Sequence, residues 1–548
     1  MKNCTQCKST FQVTEQDKKY YKRIDAPDPD LCPQCRQNRR ASWRNEWELY
    51  HRKCDLTGKQ IVSIYSPDKP FPVYSQKAFW GDDWDALDFG RDFDFSRPFF
   101  DQFSELINVT PRLAIVNKQA ENSDYCNFSC NNKNCYLTFG CHYEEDCYYG
   151  RYSTKNQNCL DYFWLYGSEL CYECSYSRRC YKSVYLDHCE DCNECYFSVD
   201  LKSCKHCIFS SSLRNKEYYI LNEPHTKEEY FKKLEQFSFH GYKRFKEAKT
   251  FFMNDFRKRF PFRDVYQVNC ENCEGGSHEN SKNLIYSFDC TDCEDCSYGF
   301  QMDQTYNSMD TMCMGYDKCE WCYEAIGING GFNILCSESS WHCADIMYCS
   351  LCFECKNCFG CVGLKHKTYC IFNKQYSKKD YEEIVGKIIS HMKEGNEYGQ
   401  FFPIEISPFA YNETVAINDF PLTRDQALLN NWKWKDDDDM QSYKGPLYEI
   451  PDTIQDVDDD ILKKILVCEV TKKPYKVIPQ ELKFYRELGV PVPHLSPNQR
   501  HFDRIQLRNP HILHDRKCDK CKKDIKAHYS SDRPEQVYCE ECYLKEVY

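Results

Sequence analysis

The middle of the chain carries a pattern of small and apolar positions that repeats every twelve residues. A small residue, usually cysteine, opens each repeat, and an apolar or aromatic residue follows it directly. One column of these small residues is Cys135, Cys147, Cys159, Cys171, Ser183, Cys195 and Cys207. A second column, Cys180, Cys192 and Cys204, stands three residues from the first. A short fixed period is typical of stacked coils that bury their faces against one another.

The same pattern returns in the later half of the chain. Cys319, Gly331, Cys343 and Cys355 form one column there, and Cys349 and Cys361 belong to another. A shift of 151 residues maps Cys204 onto Cys355 and Cys207 onto Cys358. Each half then runs into a predicted capped helix start, at Thr226 and at Ser377. We therefore expect two lobes of one type.

The period also limits what each coil can enclose. Twelve residues at about 3.3 Å each give a perimeter near 40 Å, which leaves room inside for small side chains only. A buried free cysteine behaves as a small hydrophobe, so the cysteine columns are interpreted as a core. The predicted fold class is mainly β: two Cys-rich β-solenoid lobes with twelve-residue coils, flanked by duplicated zinc-ribbon pairs, with a few helices in the connectors.

Three other interpretations of the central thiols stay open. Iron–sulfur binding is suggested by Cys290-x2-Cys293-x2-Cys296 and by Cys189-x2-Cys192-x2-Cys195. Storage of several zinc or copper(I) ions would suit so many sulfur ligands. A ladder of disulfides is the third, and it would require an oxidising compartment.

The two ends of the chain are copies of one another. A shift of 464 residues aligns Cys4–Phe79 with Cys468–Tyr543 without a gap, and 27 of the 76 aligned positions are identical. Each copy contains two successive zinc-ribbon frames, of which one is complete. The complete frames are Cys4, Cys7, Cys32 and Cys35 in the first copy, and Cys518, Cys521, Cys539 and Cys542 in the last.

The other two frames are degenerate. Cys54 stands with Thr57, Ser75 and Ala78 at the remaining ligand positions, and Cys468 stands with Thr471, Ser496 and Gln499. Two Cys-x2-Cys turns supply the tetrahedral set of thiolates that Zn²⁺ prefers, so we expect two structural zinc ions as cofactors and no metal in the degenerate frames. We expect Arg36, Lys522 and Lys523 to offset the net negative charge of each site.

Composition restricts the remaining possibilities. The chain has 548 residues, 40 cysteines and a formal net charge of −12, which disfavours a protein built mainly as a phosphate-binding surface. No apolar run approaches the roughly 20 residues of a membrane helix, and no hydrophobic segment precedes the first cysteines. The expected location is therefore the cytoplasm.

Two basic stretches interleaved with aromatic residues are candidate nucleic-acid contacts. The first contains Arg36, Arg39, Arg40 and Arg44, and the second contains Lys243, Arg244, Arg257, Lys258 and Arg259. Such stretches can meet phosphates and stack on bases, and solvated helix faces have the same composition.

Six segments of the chain form a recognisable set: Leu31-Cys-Pro-Gln-Cys-Arg-Gln-Asn-Arg-Arg40, Ile64-Tyr-Ser-Pro-Asp-Lys-Pro70, Asp92-Phe-Asp-Phe-Ser-Arg-Pro-Phe99, Asn132-Lys-Asn-Cys-Tyr-Leu137, Ile371-Phe-Asn-Lys-Gln-Tyr-Ser377 and Ser407-Pro-Phe-Ala-Tyr-Asn-Glu-Thr414. Together they resemble an uncharacterised family of large Cys-rich, zinc-ribbon-containing proteins from bacteria with reduced genomes. The resemblance covers nearly the whole chain. It implies the architecture and a cytoplasmic location, and it brings no established activity. The chain departs from the family pattern at Thr57, Ser75 and Ala78, where the family's second frame has cysteines.

The sequence favours a non-enzymatic, zinc-binding scaffold, since it shows no nucleophile with a base, no phosphate loop and no open metal site; an enzymatic role stays open. The expected partner is another macromolecule, a protein in preference to a nucleic acid. Nucleic-acid or ribosome association, and thiol-rich metal storage or redox buffering, are the alternatives. The predicted segments are 1–80 (first ribbon pair), 81–125 (connector), 126–222 (first lobe), 223–269 (basic helical connector), 270–375 (second lobe), 376–464 (helix and linker) and 465–548 (last ribbon pair).

Overall fold

The computed structural model describes residues 1–314, 323–324, 326–327, 335–436 and 445–547. Cys319 and Gly331, which belong to one predicted column, lie outside these ranges. The chain divides into two compact units. The first unit consists of Met1–Ile115 and Val265–Lys435, and the second of Val116–Asp264 and Asp436–Tyr548. Each unit therefore combines one terminal ribbon pair with the lobe from the other half of the chain: the first ribbons with the second lobe, and the last ribbons with the first lobe.

Helix and strand contribute almost equally to the structure, at 26% and 27%. The prediction of a mainly β chain is thus confirmed only in part: there are many sheets, but the connectors and ribbons form more helix than expected. The α-helices among the described residues are Glu15–Arg23, Pro33–Ala41, Gln76–Trp80, Phe99–Val109, Lys227–Phe237, Tyr242–Phe251, Lys378–Glu394, Ala416–Asp419, Arg424–Leu429, Pro479–Leu488, Pro497–Gln506 and Glu540–Val547. No helix among the described residues is long and apolar enough to cross a membrane.

The twelve-residue period of the first lobe is the register of a parallel sheet. Val184 pairs with Tyr196, and Tyr196 pairs with Ile208, twelve residues further along. Isolated bridges such as Tyr136 with Tyr148 keep the same register earlier in the lobe. The strands of this sheet are Phe163–Tyr166, Ser175–Arg178, Val184–Asp187, Tyr196–Val199, Lys205–Ile208, Glu217–Ile220 and Glu223–Pro224, the last of them antiparallel.

Within each repeat the backbone turns every three residues. From Phe128 to Leu221, every third residue has a φ between 45° and 63°, in the left-handed region. The residues that stand two positions before these turns, from Cys126 to Ser210, are all buried. A repeat therefore contains four triplets, each with one inward side chain, which explains why the cysteine columns stand three residues apart.

The inward positions of the first lobe form its core. Thirteen cysteines pack there with Tyr162 and three leucines, Leu165, Leu186 and Leu201. Tyr162 is the one large aromatic residue of this cluster, and Gly150 makes room for it. A Cβ atom on Gly150 would lie 2.0 Å from Cζ of Tyr162.

The second lobe has two five-stranded sheets in which most parallel pairs keep the twelve-residue register. The first pairs, such as Glu271 with Lys282, are eleven residues apart, and the last strand, Lys374–Gln375, is antiparallel. In the later sheet Lys356 pairs with Thr368, and Cys358 pairs with Cys370. The strands are Gln267–Val268, Glu271–Glu279, Lys282–Thr291, Phe300–Asp303 and Met312–Met314 in one sheet, and Leu335–Glu338, Ala344–Ser350, Lys356–Phe359, Thr368–Ile371 and Lys374–Gln375 in the other.

Each lobe ends at the predicted capped helix start. The hydroxyl of Thr226 accepts a hydrogen bond from the amide of Glu229, and the hydroxyl of Ser377 accepts one from the amide of Asp380. Both predicted caps are therefore confirmed. The helices that follow pack on the outer face of their lobe: Tyr230 lies in one apolar cluster with Ile208, and Tyr381 lies in another with Ile371.

The ribbons are built from two-stranded antiparallel hairpins and the helices that follow them. The hairpins are Lys2–Asn3 with Thr10–Phe11, Tyr50–Lys53 with Gln60–Ser63, Leu466–Val467 with Pro474–Tyr475, and His514–Lys517 with Asp524–Ala527. Three further parallel pairs are Val73–Tyr74 with Arg112–Leu113, Phe262–Arg263 with Val537–Tyr538, and Asn117–Lys118 with Ser129–Cys130.

Candidate metal centres

The four cysteines of the first complete frame converge on one point. The sulfur atoms of Cys4, Cys7, Cys32 and Cys35 all lie within 4.8 Å of one another, and Sγ of Cys7 lies 3.7 Å from Sγ of Cys32. A tetrahedral zinc ion with bonds of about 2.3 Å to sulfur places its ligands about 3.8 Å apart. The separation of these two sulfurs therefore fits a tetrahedral metal ion, and the set could hold one.

A tight backbone turn orients the thiols of Cys4 and Cys7. The amide of Lys8 donates to the carbonyl of Cys4 over 3.0 Å, and Lys8 adopts a φ of 63°, which closes a tight turn after the hairpin strand. The other two thiols stand at the start of the helix Pro33–Ala41, whose N-cap residue is Cys32. The amide of Cys32 also donates to Sγ of Cys4 over 3.3 Å, which helps to stabilise a thiolate there.

The last complete frame repeats this geometry. Cys518, Cys521, Cys539 and Cys542 form the second group within 4.8 Å, and Sγ of Cys521 lies 3.7 Å from Sγ of Cys539. The amide of Cys539 donates to Sγ of Cys518 over 3.3 Å. Among the described residues, these two are the only groups of three or more Cys, His, Asp or Glu that could hold a metal ion.

Hydrogen bonds favour the ionised form of the anchoring thiols. Burial opposes ionisation of Cys518, but the amides of Cys521 and Cys539 outweigh it and lower its pKa to about 6. The pKa of Cys4 is lowered by the same balance of burial against backbone hydrogen bonds. Since the thiolate is the form that binds metal, both anchors are suited to that role.

The degenerate frames keep the backbone of a ribbon without its ligands. The amide of Ser75 donates to Sγ of Cys54 over 3.3 Å, the same distance as in the complete frames. The serine hydroxyls take another role, because Ser75 caps the helix Gln76–Trp80 and Ser496 caps the helix Pro497–Gln506. A serine N-cap thus stands where the complete frames have a metal-ligand position.

Local hydrogen bonds favour the thiolate form of the single cysteine in each degenerate frame. Burial would raise the pKa of Cys468, but the Thr471 hydroxyl and the Ser496 amide lower it to about 7. The pKa of Cys54 is also lowered, where the Thr57 hydroxyl and the Ser75 amide outweigh burial. Among the described residues, neither degenerate frame forms a group of three metal-ligating side chains.

The described cysteines of the lobes are free thiols. Burial raises the pKa of Cys126 to about 11 and that of Cys147 to about 12, so both are protonated at neutral pH. Cys192 and Cys355 depart from this trend, because hydrogen bonds with neighbouring thiols lower their pKa. Most lobe thiols therefore differ from Cys4 and Cys518, whose pKa is lowered by hydrogen bonds from backbone amides.

The first basic stretch is not an exposed patch. Nε of Arg36 lies 2.8 Å from Asp310 Oδ2, and Nη1 of Arg40 lies 3.1 Å from the other oxygen of the same carboxylate. Arg39 pairs with Glu324, and Arg44 pairs with Glu46. All four arginines are buried. The guanidinium of Arg36, expected to offset the charge of the metal site, is paired with Asp310 in this structure.

The second unit contains the same arrangement at corresponding positions. Nε of Arg500 lies 2.7 Å from Asp161 Oδ2, and Nη1 of Arg504 lies 2.9 Å from Asp161 Oδ1. Arg504 also approaches Glu173 at 3.6 Å. Arg500 and Arg504 are the aligned counterparts of Arg36 and Arg40 in the terminal duplication.

Sequence reasoning missed the carboxylates that receive these arginines. Asp161 and Glu173 precede Asp310 and Glu324 by 149 and 151 residues, close to the shift that relates the two lobes. The same acidic residue type at related positions of the two lobes could have indicated where the arginines bind. The burial of these four carboxylates could not be predicted from the sequence, because aspartate and glutamate are usually exposed.

The second basic stretch is mostly paired with carboxylates nearby. Arg244 lies 3.2 Å from Glu247, Arg257 lies 2.8 Å from Asp187, and Arg259 lies 2.9 Å from Asp255. Lys243 and Lys258 are exposed. Arg244 and Arg259 are exposed as well, so of these five residues only Arg257 is largely covered, and most of this stretch lies at the surface.

No family model and no curated protein matches the chain. Among solved structures it is similar to a putative acetyltransferase from Desulfovibrio desulfuricans G20, at 10% sequence identity. That match covers 49% of this chain and 72% of the other, with a TM-score of 0.12. At such a TM-score the likeness carries no argument about fold or function.

Proposed function

We propose that the protein is a non-enzymatic zinc-binding scaffold in which each ribbon pair holds one cysteine-rich lobe. The observation that carries the proposal is the pair of four-cysteine groups whose sulfur atoms all lie within 4.8 Å of one another, with one sulfur–sulfur distance of 3.7 Å in each. Four thiolates complete the coordination of Zn²⁺, so such a site stabilises structure and leaves no position for a catalytic water. Metal binding then supplies folding free energy to ribbons that have little core of their own.

The proposal interprets the lobes as β-solenoids with twelve-residue coils. The parallel register and the inward column of small residues support it. A stack of short coils presents a repetitive outer surface, which suits contact with another macromolecule. We place the protein in the cytoplasm, where cysteines remain reduced and available as thiolates, and in the uncharacterised zinc-ribbon family that its sequence resembles.

The first basic stretch gives little support to nucleic-acid binding. Arg36, Arg39 and Arg40, the centre of the first basic stretch, are buried against carboxylates and do not face a partner. Metal storage also receives less support, because the described lobe residues form no group of three ligands.

Metal content tests the proposal directly. Protein purified anaerobically without chelator should contain two zinc ions per chain by elemental analysis, with the remaining thiols free in a denatured titration. Cys7→Ser and Cys521→Ser should each remove one zinc, because each deletes a ligand from a different group. Cys54→Ser is the matched control and should leave the zinc content unchanged.

Other results would overturn the proposal. Many more metal ions per chain, or coloured iron, would identify a metal-handling protein. Retention of RNA or DNA that falls steeply with salt would favour the nucleic-acid alternative, since phosphate contacts release counterions.

A further inference from the structure

We infer that metal binding controls one docking helix in each unit, while the corresponding helix of the other unit is held without metal. The inference rests on the proposed zinc sites and adds a conformational consequence to them. In each unit the ribbon pair contacts its lobe through two helices, one from each frame. One of these helices begins at metal ligands and the other begins at a serine N-cap.

The metal-linked helix of the first unit is Pro33–Ala41. It begins at Cys32, which makes no side-chain cap hydrogen bond, and its third residue is Cys35. Arg36 and Arg40 of this helix share the buried carboxylate of Asp310. The metal ligands therefore lie at the start of the helix that inserts its arginines into the second lobe. Loss of the metal removes the cross-link between that start and the hairpin, and Cys32 supplies no side-chain cap hydrogen bond in its place.

The corresponding helix of the second unit, Pro497–Gln506, needs no metal. Its N-cap residue Ser496 accepts a hydrogen bond from the amide of Gln499. Arg500 and Arg504 of this helix then pair with Asp161, as their counterparts pair with Asp310. In both units two arginines of the helix approach one buried carboxylate, although only the first unit has hydrogen bonds there and Arg500 donates to Glu481 instead. The side chain that starts the helix also differs.

In the second frames the roles of the two units are exchanged: the helix that begins at metal ligands belongs to the second unit, and the helix that begins at a serine N-cap belongs to the first. In the second unit, Glu540–Val547 follows the ligand Cys539, and the hydroxyl of Tyr543 contacts Asp200 and Ser212 of the first lobe. In the first unit, Gln76–Trp80 begins at the N-cap Ser75. Phe79, the aligned counterpart of Tyr543, packs on Phe353 of the second lobe with ring centroids 5.9 Å apart.

Each unit therefore has one metal-dependent and one metal-independent attachment. A helix start that has no side-chain cap and is no longer cross-linked by a metal ion leaves several amide donors unsatisfied and frays from that end. On removal of the metal we expect Pro33–Ala41 and Glu540–Val547 to open, while the serine-capped helices hold each ribbon pair on its lobe. The degenerate frames thus keep the units assembled when metal is lost.

Hydrogen exchange of the full-length protein tests this inference. Reduced, anaerobic protein is compared before and after removal of zinc with excess TPEN, and the zinc content of both samples is measured. Amide exchange should rise at least about tenfold in Pro33–Ala41 and Glu540–Val547. It should change by less than about twofold in Pro497–Gln506 and Gln76–Trp80.

Two ligand variants separate the sites, and each is the control for the other. Cys7→Ser should raise exchange in Pro33–Ala41 alone, and Cys521→Ser should raise it in Glu540–Val547 alone. Both positions are the exposed member of their group, so the substitutions disturb little packing. The chelator experiment on the unmodified chain provides the same test if a variant fails to fold.

The outcomes distinguish this inference from the proposal on which it rests. Protein that contains no zinc as purified overturns the proposed zinc sites themselves. Protein that loses two zinc ions without any change in exchange, or with an equal rise in all four helices, overturns the metal-dependent attachment and leaves the zinc sites standing.

Discussion

Nε of Arg36 lies 2.8 Å from Oδ2 of Asp310, and neither side chain is more than 2% exposed. Arg40 occupies the second oxygen of the same carboxylate. An ion pair taken out of water is costly unless its partners satisfy one another, so the loss of one member leaves an uncompensated buried charge. Asp310 is therefore a determinant of the attachment of this ribbon helix in addition to the proposed metal ion.

Asp310→Asn should loosen the helix Pro33–Ala41 strongly. Two buried arginines would lose their shared counter-charge, and breaking a buried pair of this kind costs about 3–5 kcal/mol. Native-state hydrogen exchange of the helix measures the change. Asp30→Asn is the control: its partner Lys2 lies 2.9 Å away, but the side chains are 36% and 55% exposed, so the cost should stay below about 1 kcal/mol. Equal effects of the two substitutions would contradict the role of Asp310.

Gly150→Ala should destabilise the first lobe. The new Cβ would lie 2.0 Å from Cζ of Tyr162, a ring that is fully buried among the cysteine columns. Overpacking of a core costs about 1–3 kcal/mol. Thermal unfolding monitored by near-ultraviolet circular dichroism measures the effect.

Gly386→Ala is the matched control for that substitution. Gly386 lies inside the helix Lys378–Glu394, and no atom lies within 4 Å of the position of its missing Cβ. Alanine in a helix interior is about 0.5–1 kcal/mol more favourable than glycine, so this variant should be slightly more stable. A stable Gly150→Ala variant would show that Tyr162 does not fill the space beside Gly150.

The sequence predicts the twelve-residue register, both complete ligand sets and both capped helix starts, because each depends on residues close together in the chain. The three-residue turns have no such signal. Tyr149, Tyr152 and Lys155 adopt left-handed φ values that their residue types rarely favour, and only stacking of the repeats imposes them.

The burial of the arginines escapes sequence reasoning for another reason. Arg36 and Asp310 are 274 residues apart, and a basic helix beside a ribbon has the composition of a solvated surface. The position of that helix depends on tertiary packing, because the first ribbon pair and the second lobe form one compact unit although they are far apart in the sequence.

Glu144 should make the stability of the first lobe depend on pH. It is buried in the core, where Tyr162 Oη donates to it over 2.7 Å and Asn156 Nδ2 over 3.0 Å. Burial outweighs these hydrogen bonds and raises its pKa from 4.5 to about 7. The folded state then binds more protons than the unfolded state between these values, so stability falls as pH rises through this window.

The size of that loss follows from the shift, at about 3 kcal/mol for a carboxyl whose pKa rises from 4.5 to about 7. Glu144→Gln removes the titrating group and should remove this part of the pH dependence. Denaturant unfolding of both proteins between pH 4.5 and 8 measures it. Parallel profiles for the two proteins would show that Glu144 does not titrate in this range.

The degenerate frame at Cys54 should accept a metal ion when its three missing ligands are restored. The amide of Ser75 already donates to Sγ of Cys54 over 3.3 Å, as the amide of Cys539 donates to Sγ of Cys518. Gly58 closes the turn after Cys54 with a φ of 69°, and Lys522 closes the turn after Cys518 with a φ of 64°. The backbone of the frame is therefore preserved.

The combined variant Thr57→Cys, Ser75→Cys and Ala78→Cys should raise the zinc content from two ions per chain to three. Without zinc it should be less stable than the parent by about 1 kcal/mol, because the serine N-cap is lost. With zinc it should be more stable, since metal bound only by the folded state adds to the free energy of unfolding. Thr57→Cys alone is the control and should leave two ions, because two cysteines do not complete a tetrahedral site. A zinc content of two in the combined variant would show that the degenerate frame has lost the geometry as well as the ligands.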